Sequence, residues 1–369
     1  MASIYQGSVV TLAASASVDS AGGLFYNCSS QFVDKLIQIG ETEFDIADQG
    51  MGIPRETSGP RFLHFGSQEL ILECAEETAC ECSDTNIETL APKPKLKHAK
   101  AMTSLKGDGV IRYWRQMVHE YSKLNLSFPT DRLPALAGLA RQMAGIRSDR
   151  YLAGLWEDSF LQDMLWSRHG GPIIPYEESY KPENALKKFD RRTYTITDSK
   201  RGAPTWSWAR LRGPVDFRHS KLLPSSKGVC CSLIEAKCVN DGTDIFGRVL
   251  SGYIRLHGTL VPVTYEIELT SHIVDIDFPN PERVQDTKRL IKNKQSGGVS
   301  EVDLDYILHE GFPSLYFLPV VFSAEAKSGL VLRKYEGFDK VFERVGVVIY
   351  AESIVSEDDL KENITFTII

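Results

Sequence analysis

The sequence lacks an excess of positive charge and lacks long apolar runs. Its 42 basic and 49 acidic residues give a formal net charge of −7, so no global positive field attracts nucleic acid or anionic lipid. No stretch approaches the roughly 18 consecutive apolar residues of a transmembrane helix. The short apolar run at residues 9–16 has no basic flank, since no Lys or Arg precedes Lys35, and it does not predict a signal peptide. We expect a cytoplasmic protein without a nucleic-acid or membrane partner.

Cysteine is too sparse and too irregularly spaced to predict a disulfide framework. The seven cysteines form an odd set without the dense spacing of small disulfide-rich secreted proteins. Cys74, Cys80 and Cys82, with His64 as a fourth ligand, lack the paired two-residue gaps that make a zinc prediction strong. We therefore expect reduced thiols and no metal site.

The common sequence signatures of catalysis are also missing. There is no G-x-x-x-x-G-K phosphate loop, no G-x-G-x-x-G dinucleotide motif, no G-x-S-x-G nucleophile elbow and no H-E-x-x-H zinc motif. His119-Glu120 begins like the last of these, but Lys123 stands where its second histidine would be. No cysteine stands beside an obvious base, so no thiolate nucleophile is indicated. We assign no catalytic residue and no cofactor from the sequence.

What is present is the composition of a globular protein with a core, with 42% hydrophobic and 25% charged residues. The length of 369 residues predicts about two domains. Residues 1–90 predict short strands and turns, including a strand at residues 9–14 and a hairpin that breaks at Gly66-Ser67. Residues 91–107 are hydrophilic with few apolar anchors and predict a mobile linker.

Residues 108–200 predict a helical region that ends in a long connection. One helix face carries apolar residues at three- and four-residue spacings, namely Ile111, Trp114, Val118 and Tyr121. A second stripe covers residues 133–143, and residues 151–166 complete a Trp-rich cluster. Aromatic residues at helical spacing predict a core rather than a ligand box.

Residues 201–369 predict a mostly antiparallel β region, either a barrel or a sandwich. Apolar and polar residues alternate with period two at residues 253–260, and similar runs follow downstream. Residues 280–302 are charged and contain glycine, which predicts a second mobile loop.

The most distinctive segment is residues 203–209, Ala-Pro-Thr-Trp-Ser-Trp-Ala. In an extended strand Trp206 and Trp208 would project from opposite faces. Both faces are then covered by protein, or one of them faces a ligand, and burial is the favoured interpretation. Asp131-Arg132 stands at a predicted helix start, where we expect it to satisfy free backbone amides and to anchor a neighbouring loop.

Several ordered segments resemble the C-terminal part of fungal heterokaryon-incompatibility (HET) domain proteins. They resemble the end of the HET domain and the tail that follows it, and the resemblance spans roughly residues 1–215. It extends more loosely to residues 329–332 and 342–347. The segments are residues 1–14, Gly23-Leu24-Phe25, residues 60–65 with Glu73-Cys74, Tyr121-Ser122 with residues 126–128, residues 131–138, residues 151–156 and residues 204–208.

The sequence also departs from the pattern of that family. Members usually carry, upstream of the position of Met1 here, a Ser-Tyr-x-Trp-Gly strand and a Trp-Ile-Asp-x-x-Cys-Ile-x-Gln block, and this sequence contains neither. The resemblance therefore implies that residues 1–90 are a remnant of an α/β HET domain without the residues for any nucleotide-directed activity. The expected fold class is α+β, with this remnant, a central Trp-rich helical cluster and a C-terminal mostly antiparallel β region.

The resemblance implies a non-catalytic protein of fungal non-self recognition or programmed cell death that acts through a protein partner. Two alternatives stay open. In the first, the tail fold is reused as an enzyme or small-molecule-binding protein of a biosynthetic pathway. In the second, the chain is a truncated gene product with an exposed apolar edge within residues 1–30. The pocket of the first alternative would be lined by Trp156, Trp166, Trp206, Trp208, Asp131 and Arg132.

Overall fold

The structure, a computed structural model, describes about two thirds of the chain in two compact units. The first unit comprises Met1–Leu124 and Ala135–Ser148, and the second comprises Asn125–Pro134 and Asp149–Ile369. No helix in the described part of the chain has both the length and the apolar character that crossing a lipid bilayer requires. The described residues are 10–13, 61–65, 70–74, 76, 78–80, 94–124, 126, 128–169, 189–190, 195–196, 203–211, 213–217, 228–274, 282–305, 314–322, 327–335, 337–351, 354–356 and 358–369.

The first unit contains a four-stranded sheet. Its strands, in spatial order, are β1 (Thr11–Ala13), β2 (Arg61–Phe65), β3 (Leu70–Cys74) and β4 (Thr78–Cys80). β1 pairs parallel with β2, whereas the other neighbours pair antiparallel. The predicted hairpin is confirmed, because β2 and β3 pair with Phe65 opposite Leu70. Phe62 is buried, whereas Val10 and Leu12 are 45% and 51% exposed.

Three helices follow this sheet along the described chain. They are α1 (Pro94–Ser104), α2 (Asp108–Ser122) and α3 (Arg132–Ala144), and a 3₁₀ turn at Pro129–Asp131 precedes α3. The two predicted apolar stripes are confirmed on α2 and α3, where Trp114, Tyr121 and Met143 are buried. Helix α1 lies in the stretch that was predicted to be a mobile linker. The sequence did not reveal this helix because its described side chains, residues 97–104, include no fully buried one, so no apolar stripe marks it.

The second unit begins with short elements rather than with further helix. The expectation of helix through residues 151–166 is wrong over its first part, because residues 151–156 form a hairpin with a two-residue turn. The elements are β5 (Tyr151–Leu152), β6 (Leu155–Trp156), a 3₁₀ turn (Glu157–Ser159), α4 (Phe160–Asp163), β7 (Ser167–Arg168), β8 (Phe189–Asp190), β9 (Thr195–Ile196) and β10 (Val215–Asp216).

The strand predicted at residues 203–209 is also wrong. The segment forms a turn, in which Ser207 N donates to the Pro204 carbonyl at 3.1 Å, followed by a 3₁₀ turn at Trp208–Arg210. Ser207 Oγ accepts a hydrogen bond from Ala209 N at 3.1 Å. This side-chain cap favours a turn over extended backbone. The two-residue spacing between Trp206 and Trp208 therefore does not reflect a strand.

The rest of the second unit is a large, mostly antiparallel sheet, as the sequence predicted. Its strand order is β11-β12-β20-β19-β18-β17-β13-β14-β15, with β16 paired to β19. Among the described strands of this sheet, only β19 and β20 pair parallel. The strands are β11 (Ser232–Asn240), β12 (Val249–Gly258), β13 (Val261–Val274), β14 (Glu282–Asn293), β15 (Val299–Glu301), β16 (Asp303–Leu304), β17 (Leu315–Phe322), β18 (Lys327–Lys334), β19 (Val341–Val348) and β20 (Ile364–Ile368).

The mobile loop predicted at residues 280–302 is wrong, since β14 and β15 occupy most of it. β14 pairs with β13 along its whole length, from Val263 opposite Asn293 to Val274 opposite Glu282. A strand this rich in charged residues shows no clear apolar alternation, and cross-strand pairing rather than its own pattern establishes it.

The large sheet closes on itself, because β19, β18, β17, β13, β14 and β15 pair in that order and β16, which follows β15 after Val302, pairs with β19 again. β12 and β13 are separated only by Thr259-Leu260, and they pair with β20 and β17 respectively. The strands β20, β19, β18 and β17 connect these two partners. All eight residues of β19 are buried, and its Val345 belongs to an apolar cluster with Val261, Leu315 and Phe317.

Candidate functional site

The four tryptophans that were predicted to line a pocket lie in the interior of the second unit. Trp156, Trp206 and Trp208 are 0% exposed and Trp166 is 1% exposed. We call these four side chains the tryptophan node. Their burial agrees with the interpretation of the sequence that favoured packing over ligand contact.

Trp208 is fixed to the turn of the β5–β6 hairpin. Ala153 and Gly154 form this turn with φ values of 46° and 97°, the combination that a two-residue type I′ hairpin turn requires. Trp208 Nε1 donates to the Gly154 carbonyl at 3.0 Å, and Ser207 Oγ donates to the Ala153 carbonyl at 2.5 Å. The segment at residues 204–208 is thereby locked to the segment at residues 151–156.

Gly154 has no room for a side chain. A Cβ atom there would lie 2.5 Å from Trp208 Nε1, and the positive φ adds strain. We expect Gly154→Ala to lower the free energy of unfolding by about 3 kcal/mol, from overpacking together with the left-handed backbone. Urea unfolding followed by circular dichroism measures this loss.

Gly242 provides the matched control for this variant. Its φ is +90°, but nothing lies within 4 Å of its would-be Cβ. Gly242→Ala therefore reports backbone strain alone, at about 1 kcal/mol. Equal losses in the two variants would contradict the close contact between Gly154 and Trp208.

Trp166 and Trp206 form the second half of the node. Trp166 Nε1 donates to the Trp206 carbonyl at 3.1 Å, and the ring of Phe160 packs edge-on against Trp206 with centroids 5.4 Å apart. Trp156 makes a similar edge contact with Tyr151 at 5.3 Å. Trp206 Nε1 is buried and has no hydrogen-bond partner among the described residues.

A buried ion pair connects the node to β19. The Arg344 guanidinium lies over the Trp166 ring, with Cζ 3.3 Å from the ring centroid. Its Nη1 donates to the Met164 carbonyl and its Nη2 to the Trp166 carbonyl, each at 2.5 Å. Its Nε donates to Asp305 Oδ2 at 3.1 Å, and Nη2 donates to Asp305 Oδ1 at 3.2 Å. Burial raises the pKa of the Asp305 carboxyl, and the charge of Arg344 opposes that rise.

Thr205 extends this connection to β19 and to Ile369. Its Oγ1 accepts a hydrogen bond from Arg344 N at 3.2 Å and donates to the Ile369 carbonyl. The Thr205 backbone N donates to the same carbonyl at 3.2 Å. Thr205, which directly precedes Trp206, is therefore hydrogen-bonded to main-chain groups at Arg344 and at Ile369.

The structure brings Arg132 to the node and leaves Asp131 at its helix start. Arg132 Nη1 donates to the Leu211 carbonyl, and Nη2 donates to the Gly213 carbonyl at 3.3 Å. Its Cζ lies 5.6 Å from the Trp208 ring centroid, a cation–π distance. Arg132 thus anchors a neighbouring loop, as expected, while the half-buried Asp131 lies in the 3₁₀ turn before α3.

Sequence reasoning missed Gly154, Thr205, Asp305 and Arg344. Arg344 carried a signal, because it interrupts the apolar strand at residues 341–348, and a charge inside such a strand must be paired if it is buried. Nothing local indicated Asp305 as its partner, since 39 residues separate the two.

The node has the chemistry of a structural brace. The hydrogen bonds described above end on backbone groups or within the Arg344–Asp305 pair, which leaves these donors no role toward a substrate. Within the described ranges, no three His, Cys, Asp or Glu side chains gather to hold a metal ion. The chain matches no protein-family model, no curated protein and no solved structure.

Proposed function

We propose that the chain is a non-catalytic protein of the HET family that acts in fungal non-self recognition or cell-death signalling through contacts with a protein partner. The closed tryptophan node carries this proposal. A catalytic or ligand site presents polar groups to a cavity, whereas Trp166, Ser207 and Trp208 donate to main-chain carbonyls of the same unit. A braced interior of this kind supports a function carried out at the protein surface.

Two of the segments that carry the family resemblance contact each other. Residues 151–156 and residues 204–208 are joined by the hydrogen bonds of Ser207 and Trp208 to the hairpin turn. We also infer that the ring of paired strands is a barrel rather than a sandwich, because its pairings return to the strand from which they start.

Apolar exposure on β1 supports a protein partner. Val10 and Leu12 are 45% and 51% exposed, and their spacing of two residues places them on one side of an extended segment. Such side chains would contribute to a contiguous apolar surface of the kind that another protein covers. The truncated-product alternative also predicts such exposure, and an experiment in cells separates the two.

The proposed function is tested by expressing the chain in fungal strains of differing incompatibility type and measuring cell viability. We expect death or growth arrest in particular strain combinations, and loss of that effect in the double variant Val10→Ser with Leu12→Ser. Circular dichroism of the purified double variant controls for its folding. No effect on viability in any combination, or an equal effect from the double variant, would contradict the proposal.

One observation favours the small-molecule alternative. The buried Trp206 Nε1 has no hydrogen-bond acceptor among the described residues, and a carbonyl group of a ligand would satisfy it. Trp206→Phe removes this N–H and keeps an aromatic ring. If the node is only a brace, we expect this variant to lower the free energy of unfolding by about 1–2 kcal/mol, because the smaller ring leaves a cavity while no hydrogen bond is lost.

Thermal shift in the presence of a metabolite library distinguishes the two functions. The proposed function predicts that no metabolite raises the melting temperature of the wild type by binding at Trp206. A ligand that stabilises the wild type and fails to stabilise Trp206→Phe would establish the alternative. Trp208→Phe, which loses a donor to the Gly154 carbonyl, is the matched control for a general effect of replacing an indole.

A further inference from the structure

Helix α1 is tied to α2 and α3 by one histidine. His98 Nδ1 lies 2.9 Å from Tyr113 Oη on α2, and His98 Nε2 lies 2.5 Å from Gln142 Oε1 on α3. The imidazole and the Tyr113 ring are stacked with centroids 5.8 Å apart and 25° between their planes. All three side chains belong to the first unit.

The described side chains of α1 give it little apolar packing. Among its described side chains, residues 97–104, none is buried, and Ala99, Ala101 and Met102 are only half-buried. Hydrophobic docking scales with the apolar area that is removed from water. Among the described contacts, those of His98 with Tyr113 and Gln142 connect this helix to α2 and α3.

Both hydrogen bonds of His98 can form with a neutral ring. Gln142 Oε1 can only accept, so His98 Nε2 carries a proton, and Nδ1 of the neutral ring accepts from the Tyr113 hydroxyl. Burial raises the pKa of Tyr113 to about 12, so this residue remains a neutral phenol. Both ring nitrogens are thus satisfied when His98 is uncharged.

In the part of the chain that the structure describes, both hydrogen-bond partners of His98 are uncharged. Its partner on α2 is a phenol and its partner on α3 is a neutral amide. On α1 itself the nearest ionisable residues are Lys97 and Lys100, both exposed. β3, which packs against α1, carries Cys74 and also Glu73, whose Oε2 lies 3.4 Å from the ring of His64.

We propose that His98 is a proton-operated latch that releases α1 from α2 and α3 when the imidazole becomes charged. A charged ring in this place loses hydration, and its described partners, Tyr113 and Gln142, carry no negative charge to compensate. Helix α1, which lies in the predicted mobile linker at residues 91–107, then docks on α2 and α3 in a pH-dependent way. The freed helix would expose the faces of α2 and α3 that it covers.

The sign of the pH dependence follows from the two states of the helix. In undocked α1 the His98 ring is in water with its ordinary pKa of 6.5, whereas burial lowers the pKa in the docked state, opposed by the Gln142 hydrogen bond. The undocked state therefore binds the proton more readily. Docking is fully stable above a pH of about 6.5 and weakens as the pH falls below that value.

Hydrogen–deuterium exchange of the full chain, with mass spectrometry of the peptide that covers residues 94–104, tests the latch. Between about pH 7.5 and about pH 5 we expect protection of this peptide to decrease several-fold beyond the intrinsic pH effect, up to roughly tenfold for each pKa unit of difference. Peptides from the buried face of α2 control for global unfolding and should keep their protection. Unchanged protection of residues 94–104, or equal loss in α2, would overturn the proposal.

Gln142→Glu provides a readout that a merely structural role of His98 would not change. The carboxylate in place of the amide is a partner for the charged imidazole, so the pH dependence of protection should vanish or change sign. His98→Leu should leave α1 weakly protected at both pH values. A Gln142→Glu variant with the pH dependence of the wild type would contradict the latch.

Discussion

Asp305→Asn lowers the free energy of unfolding by about 3–5 kcal/mol, because it leaves the Arg344 guanidinium buried without its counter-ion. Arg344 is 1% exposed and Asp305 is 3% exposed, so water cannot replace the lost charge. The substituted amide offers one oxygen where the carboxylate accepts hydrogen bonds with both. Urea unfolding of the purified protein measures the loss through the shift of the midpoint at constant slope.

Asp339→Asn is the matched control for this prediction. The Asp339 side chain is 83% exposed and lies 3.7 Å from Lys334 Nζ, and exposed ion pairs of this kind contribute little. We expect a change within about 0.5 kcal/mol. Similar losses from Asp305→Asn and Asp339→Asn would contradict a buried, specific role of the Arg344–Asp305 pair.

Trp166→Ala should lower the free energy of unfolding by about 3–5 kcal/mol, the usual cost of removing a large buried aromatic ring. The substitution removes the surface on which Arg344 lies and the donor to the Trp206 carbonyl. Loss of the ring leaves a cavity beside a charged group whose remaining hydrogen bonds hold it in place. The same urea experiment measures this change, together with the near-ultraviolet circular dichroism of the remaining tryptophans.

Tyr350→Ala serves as the control for loss of an aromatic ring at the surface. Tyr350 is 71% exposed, so its removal should change the free energy of unfolding by less than about 0.5 kcal/mol. If Trp166→Ala also changed it by less than about 1 kcal/mol, the node would not be a brace, and a collapsible or open site at Trp166 would be the better description.

The sequence predicted those elements whose own periodicity matches their burial. The apolar stripe of α2 at three- and four-residue spacings faces the interior, and the β2–β3 hairpin follows from apolar runs on either side of Gly66-Ser67. Burial of the tryptophans could be inferred in the same way, because indole rings dominate core packing. These signals are local, so they can be recognised in the sequence without knowledge of tertiary contacts.

Elements that depend on distant partners were missed or misassigned. Trp206 and Trp208 lie in turns because Ser207 and Trp208 bind carbonyl groups of a hairpin 54 residues away. β14 is a strand because β13 pairs with it, and α1 is hydrogen-bonded to α2 and α3 through His98. Tertiary contacts override local preference at such positions.

Tryptophan emission tests most directly whether the node is an interior brace rather than a binding site. The chain has five tryptophans, and Trp114, Trp156, Trp166, Trp206 and Trp208 are all no more than 1% exposed. We therefore predict blue-shifted emission, quenching by acrylamide as weak as that of fully buried indoles, and no response to added metabolites or nucleotides. Emission typical of hydrated indole, or a metabolite-induced change that disappears in Trp206→Phe, would contradict this interpretation.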